Sequence, residues 1–430
     1  MIILGLADEQ GTSMVGVLDM KSSRYKISMR AHAESVYRLY FRALAVFLLL
    51  GAISQNAAAL DPQSGQSGKE PAEQDILQGI EHLYDNRFKK AEDVFYRAIK
   101  ERPEDPKAYF YLAMISWSRL AAGFWSDKDV EEYRVRINKT ISIARKRIAN
   151  DNEDPLAHFY LGGALGFKGR FQLMRRKWIS ALFLALEAVE ALKTCRSLAP
   201  NNREVLLGLG IFDYYTSRLS GVLKFMSYLL ISREGKEEGL RKLHIAAREA
   251  TYSAVESKSV LLHIYLFMEH DHHRALPLAR ELSARFQTNP RYKYLEGVTY
   301  MMLNMDSEYN RVVGYFRENE KKITSKSHAC MWGNHAYYLE ACHDLFHDRF
   351  PEARTKLKLV LDRCDPIADP AMAAWPLLKV GMSHDLEGNR DRALECYTMI
   401  LRMENGAGAQ FLAEKYTENP VDRGDPFLGY

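Results

Sequence analysis

Few cysteines, no paired-cysteine motif and almost no net charge are the first features of this 430-residue chain. It holds five Cys, and 59 Lys and Arg stand against 55 Asp and Glu. The absence of Cys-x-x-Cys argues against a thioredoxin-like redox site and a zinc ribbon. Near-neutrality supplies no field for nucleic acid, and no basic stripe of the kind that binding requires is present. There is no His-Glu-x-x-His and no Gly-x-Ser-x-Gly. Gly208-Leu-Gly210 lacks the third glycine of a phosphate-binding loop and falls in a helical pattern, so no nucleotide cofactor is expected. After Ile53 no apolar run is long enough to cross a bilayer.

What is present is a spacing. Gly79 is followed at 12 residues by Ala91, and from there at 4 and 7 residues by Phe95 and Ala98, with Pro103 beyond. The same offsets link Gly381 to Ala393, Tyr397 and Ile400, and Ala341 to Ala353, Leu357 and Val360. A small residue in a first helix meets a small residue early in a second, so the two approach closely. The aromatic one turn later fills the space toward the next pair, and Pro103, Pro200 and Pro290 are read as ends of second helices. One such pair cannot cover its own apolar face, so several must stack.

This pattern resembles the tetratricopeptide repeat from about residue 71 to about residue 404. The resemblance implies an all-α, right-handed α-solenoid of about eight hairpins. Gly162 and Ala188 are separated by 26 residues rather than 12, which places about 14 extra residues inside the third hairpin, and the fourth carries a similar insertion before Gly239. The glycine-rich run from Gly208 to Ala250 resembles a divergent TPR-like family of bacterial envelope proteins and of fungal and animal proteins of outer-membrane or inclusion-body clearance. That resemblance implies architecture and no catalytic residue.

Arg38 and Arg42 precede an apolar run from Ala43 to Ile53, and Ala57-Ala58-Ala59 follows. This is the layout of a secretory signal peptide cut near Ala59, with a short uncleaved anchor as the other reading. A start at Met29 rather than Met1 gives the more ordinary signal. Export predicts a periplasmic, envelope-associated protein; without residues 1–59 the net charge falls from +4 to +2. The expected organisation is therefore an N-terminal extension and signal over 1–59, a flexible Gly/Ser/Gln/Pro-rich leader over 60–74, the solenoid over 75–405, and a cap helix with a loose tail over 406–430.

Four features bear on function. By helical phase, Phe110, Met114 and Trp117 share one stripe of a first helix, with Phe159, Tyr214 and Tyr338 in comparable places. They either line a concave groove that takes a peptide or partner helix, or pack between hairpins. Glu269 to His273 is a dense set of metal-ligand types, but adjacent residues in a turn point apart, so a solvated loop without metal is the expectation. Cys330 and Cys364 lie near hairpin ends and are candidates for a bridge; Cys195, Cys342 and Cys396 read as packing positions. The basic cluster Arg175-Arg176-Lys177-Trp178 leads into apolar residues 179–186, and residues 222–231 are also apolar. Burial over the solenoid interior is favoured, and peripheral membrane contact is the rival. Together these features point to a non-enzymatic protein-binding scaffold, ahead of an envelope assembly factor and, distantly, a metal enzyme at 269–273.

Overall fold

The computed structural model describes residues 71–121, 127–175, 177–218, 235–323, 326–367 and 369–429. Among them there are 17 α-helices and no strand. The signal, the leader and most of the fourth-hairpin insertion lie outside the described residues. Eight hairpins follow in order: α1 (Pro71–Tyr84) with α2 (Phe88–Glu101), α3 (Pro106–Ala121) with α4 (Asp127–Asn150), α5 (Pro155–Met174) with α6 (Trp178–Leu198), and α7 (Val205–Ser217) with α8 (Lys236–Glu249). Then come α9 (Ala254–His263), continued by a π turn (Ile264–Met268), with α10 (His272–Arg285), α11 (Pro290–Met302) with α12 (Asp306–Lys322), α13 (Lys326–Phe346) with α14 (Phe350–Arg363), and α15 (Pro370–Leu386) with α16 (Arg390–Arg402). Helix α17 (Ala409–Glu418) covers the last pair. Each helix packs chiefly on its chain neighbours, which makes the molecule an α-solenoid.

The small residues at the repeat spacing are buried as expected, but Gly79 and Gly381 face the aromatic of their own second helix rather than its alanine. Ala91, Ala353 and Ala393 are all fully buried. A Cβ on Gly79 would lie 2.6 Å from the Phe95 ring, and one on Gly381 2.5 Å from the Tyr397 ring. Pro103 and Pro200 follow the ends of second helices as expected, but Pro290 opens α11. Pro155, Pro290 and Pro370 stand in the first turns of their helices behind the N-caps Asp154, Asn289 and Asp369, whose side chains accept backbone N–H bonds.

A second periodic signal lies in the turns. Asn86, His270, Asn304, Asp348 and Gly388 all have positive φ and all stand two residues before a second helix. The N–H of the next residue then reaches back to the first helix. Arg87 donates to the His82 carbonyl at 2.8 Å, Met305 to Tyr300 at 2.9 Å, Arg349 to Asp344 at 2.8 Å and Asn389 to His384 at 2.8 Å. These are Schellman-type closures, which satisfy carbonyls that a helix end otherwise orphans. His270 occupies this position in the fifth hairpin, and Asp271 N donates to the Tyr265 carbonyl at 2.9 Å.

The extra residues of the third hairpin lengthen both of its helices, to 20 and 21 residues, rather than forming a separate loop. The second hairpin is also long, because α4 runs 24 residues, which the repeat spacing did not reveal. In the fourth hairpin Gly239 allows main chain to meet main chain: a Cβ there would lie 2.5 Å from Tyr214 N and 2.9 Å from the Gly210 carbonyl. Gly239→Ala should therefore force α7 and α8 apart and cost about 1–3 kcal/mol, read as a lower denaturation midpoint in urea.

Candidate functional site

The superhelix turns so tightly that its first hairpin reaches the junction of the fifth and sixth. Asn289 Nδ2 donates to the Tyr84 carbonyl at 2.7 Å, Thr288 N to Asp85 Oδ1 at 2.8 Å, and the Thr288 hydroxyl to the Asp85 carbonyl. Tyr84 and Phe286 have ring centroids 5.4 Å apart, Arg285 pairs with Glu81, and Tyr252 OH donates to Glu73 at 2.6 Å. These contacts bridge 179 to 205 residues of chain. Instead of an open concave groove, the first helices enclose an interior.

Part of that interior is filled by charge. Arg170 of α5, Glu256 and His263 of α9 and Arg291 of α11 converge from three hairpins. Burial pulls the Arg170 guanidinium down to about 10, while the Glu256 carboxylate opposes the loss of charge. His263 Nδ1 lies 2.7 Å from the Ser259 carbonyl, so it carries the proton, and Nε2 accepts from Arg291 at 2.7 Å. Burial and the Arg291 charge hold this ring well below the usual histidine range, and hence neutral.

Another part is a cavity of about 860 Å³. Its walls come from the turn between α1 and α2, from α3, from the 287–289 linker and from α11, α12, α13 and α15. Trp117, Tyr294, Tyr315, Trp332, Tyr338 and Trp375 supply the aromatic lining. Among the described residues three tryptophans face this one space, a convergence that scattered positions in the sequence did not disclose. Its polar groups are mostly engaged. Arg119 sits 3.5 Å from Glu92 and 3.7 Å from Glu132, and Trp375 Nε1 donates to the Ala407 carbonyl at 3.1 Å. Asp369 caps α15, and burial raises its carboxyl to about 6. His335 Nδ1 donates to the Met331 carbonyl, 2.8 Å away, and burial lowers its pKa.

The exposed stripe expected from helical phase is absent. Phe110, Met114, Phe159 and Tyr214 are completely buried, Trp117 is 1% exposed and Tyr338 4%. Phe110 packs against Tyr160 and Phe167 on the next first helix, and Trp117 against Tyr133 and Phe167. Adjacent first helices meet through these rings, so the packing alternative holds. Only Trp117 and Tyr338 of the six line the cavity.

The acidic and histidine run is a turn with structural duties. Glu269 accepts from Tyr214 OH at 2.6 Å, from Lys236 at 2.7 Å and from Arg218 at 2.9 Å, while Asp271 caps α10 through Arg274 N. No group of three metal-ligand side chains converges among the described residues. None of the five cysteines forms a disulfide. Cys330 and Cys364 are not bridged: the first thiol donates to the Arg363 carbonyl and the second to the Asp369 carbonyl. Burial pushes the Cys364 thiol up to about 12, which keeps it protonated and unreactive.

Nor is the tail loose. Val421, Asp425, Phe427 and Leu428 are buried, and a 3₁₀ turn over Pro426–Gly429 packs on α11, α13 and the π turn after α9. The insertion in the third hairpin departs from expectation in the opposite sense. Ile179, Leu182 and Phe183 are 74, 46 and 66% exposed, although Ala181 is buried. Residues 219–234 of the fourth hairpin lie outside the described residues, and no helix among the described residues is long and apolar enough to cross a membrane.

No protein-family model matches the chain, and no curated protein does. A crystal structure of yeast Tom70 is similar at a TM-score of 0.32 and 13% identity, over 84% of this chain and 91% of that one. At that score the likeness is coarse, and the solenoid stands on the helix pairing described above. Because Trp117 joins two hairpins and one cavity wall, Trp117→Ala should lower stability by about 3–5 kcal/mol in thermal or urea unfolding, and not merely weaken a partner contact.

Proposed function

We propose that the chain is a non-enzymatic protein-interaction scaffold whose aromatic interior takes an apolar segment of a partner protein. The cavity carries this reading: about 860 Å³ walled by three tryptophans and three tyrosines is large enough for several side chains. Rigid aromatics bury large area at little cost in rotamer freedom. Of the lining cations, Arg87 is paired with Asp85 and Arg119 with Glu92 and Glu132, and most of the remaining wall is apolar or aromatic, which favours an apolar or aromatic guest. Glu269 and Asp271 are committed to ion pairs and a helix cap, which speaks against the metal-enzyme alternative. The N-terminal signal motif adds the proposal that the scaffold works in the bacterial envelope after cleavage near Ala59. Selection of a linear peptide library on the chain beginning at Leu60 tests the binding half. Enriched peptides should be rich in Phe, Trp, Leu and Ile, and Trp332→Ala should weaken them at least tenfold when binding is measured below its own lowered melting midpoint with helicity intact. Enrichment indifferent to Trp332 and Tyr315 would refute the site.

A second reading keeps a specific observation of its own. Ile179, Leu182 and Phe183 form an exposed apolar face at the tip of the third hairpin, close in sequence to Arg175 and Lys177. That combination suits a shallow contact with anionic lipid, as an envelope assembly factor would need. Protein recovered from the periplasm should begin at Leu60 and co-sediment with phosphatidylglycerol vesicles, and Ile179→Ser with Phe183→Ser should abolish that. Equal sedimentation of the double variant would remove the reading.

A further inference from the structure

The C-terminal segment sits where a ligand would. Beyond α17, which already covers the last hairpin, the chain doubles back over the first helices of four hairpins. Val421 N donates to Asp385 Oδ2 of α15 at 3.2 Å, and Arg423 pairs with Asp348. Asp425 then folds the peptide on itself: its carboxylate accepts from Phe427 N at 3.0 Å and from Lys415 at 2.8 Å. Phe427 stacks on Phe267 of the π turn, with centroids 5.8 Å apart and planes at 16°. Leu428 is buried beside it, and Gly429 lies against Met301 and Met302 of α11, where a Cβ would clash.

The receptor side is as specific as the tail. Lys379 of α15 is completely buried, and its ammonium donates to the carbonyls of Phe427 and, at 3.1 Å, of Leu428. A buried ammonium without acceptors is costly, so this position demands carbonyl oxygens from whatever lies in front of it. Main-chain carbonyls are what any peptide offers. Side-chain selection comes from the Phe267 face, which suits an aromatic, and from the buried place of Leu428, which suits an aliphatic residue after it, while the methionine pair closes on Gly429 and leaves little room for a side chain there. Between anchors the segment is open: Asp422, Arg423 and Gly424 are exposed, as are Asn419 and Pro420 where it leaves the cap. Held by two carbonyls, one stack and one acidic turn, it has the anchoring of a docked peptide.

We propose that this groove is a peptide-binding site selective for an acidic residue followed two and three positions later by an aromatic and an aliphatic residue, and that residues 421–429 are its resident, exchangeable ligand. The site deepens the scaffold reading by giving the partner a chemistry, a segment resembling Asp-Pro-Phe-Leu. A partner must displace the tail before it can bind, so its apparent affinity is the intrinsic affinity multiplied by the fraction of molecules whose groove is free of the tail.

The test uses the whole chain with a protease recognition sequence inserted between Asn419 and Pro420 and cut after folding. A fluorescein-labelled peptide of residues 421–430 serves as the probe, followed by anisotropy. The cut protein should bind it saturably, and the uncut protein at least tenfold more weakly. Peptides with alanine at the positions of Phe427 and Leu428, and cut protein carrying Lys379→Met, should each lose at least tenfold. Absence of exchange over a day with helicity intact overturns the proposal, as does equal binding by cut and uncut protein. Should cutting unfold the chain, the uncut double variant Phe427→Ala with Leu428→Ala decides. Faster tryptic cleavage at Arg423 with unchanged helicity supports a displaceable tail, and joint loss of helicity shows a structural strap instead. Library peptides that still depend on Trp332 while this probe fails would leave the cavity reading standing and remove only this one.

Discussion

The junction of Tyr84 and Asp85 with residues 286–289 is the constraint on which the rest of the molecule depends. An open solenoid exposes the inner faces of its first helices, and their aromatics are then free to meet a partner. Here the two main-chain segments are tied by Asn289 and Thr288, and the first hairpin closes against the sixth. Asn289 does two jobs at once, because its Oδ1 also caps α11 through Arg291 N at 3.1 Å. Closing the turn and starting the helix that carries Tyr294 and Met301 are thus one event in the chain.

Closure decides what becomes of each inward-facing residue. At the α3–α5 level the first helices are near enough for Phe110, Trp117 and Phe167 to interlock, and the interior is solid. Where the α1–α2 turn, α11, α13 and α15 face one another, the same residue types leave a cavity. Farther along α11 and α15, the tail fills the space, with Lys379 fixed on its carbonyls. One inner surface therefore carries three states: packed, empty and occupied. The two binding proposals belong to the second and third.

Hairpin number and the burial of the small residues were readable because they follow from local spacing. Gly79 against Phe95 and Gly381 against Tyr397 are contacts within one hairpin, and a 16-residue offset, the 12 and 4 of the repeat added, specifies them. Closure was not readable, since Tyr84 and Asn289 are 205 residues apart and nothing periodic relates them. The helical phase that placed Phe110, Met114 and Trp117 on one face was right about the face, but it carried no information about what lies opposite. The left-handed turn residues were a missed signal. Asn86, His270, Asn304, Asp348 and Gly388 differ in type, yet share tolerance of positive φ and a fixed place before the second helix. Aligning the hairpins on that position would have explained His270 as a turn residue and removed the attraction of the 269–273 run.

The charges inside the closed turn bear on why the molecule settles in one winding. An interior lined only by aromatics tolerates small rotations between hairpins, because apolar contacts are not directional. Arg170, Glu256, His263 and Arg291 come from α5, α9 and α11, and a shift of any one helix would separate a buried charge from its neighbours. Leaving a buried charge unpaired costs several kcal/mol, whereas a pair of apolar atoms drawn apart by the same shift forfeits only about 0.1–0.2 kcal/mol. His263 stays neutral and so passes a fixed hydrogen-bond direction from the Ser259 carbonyl to Arg291. The network therefore penalises alternative pitches more than it stabilises the native one, and it keeps α11 at the height where Asn289 meets Tyr84 and Met301 meets the tail.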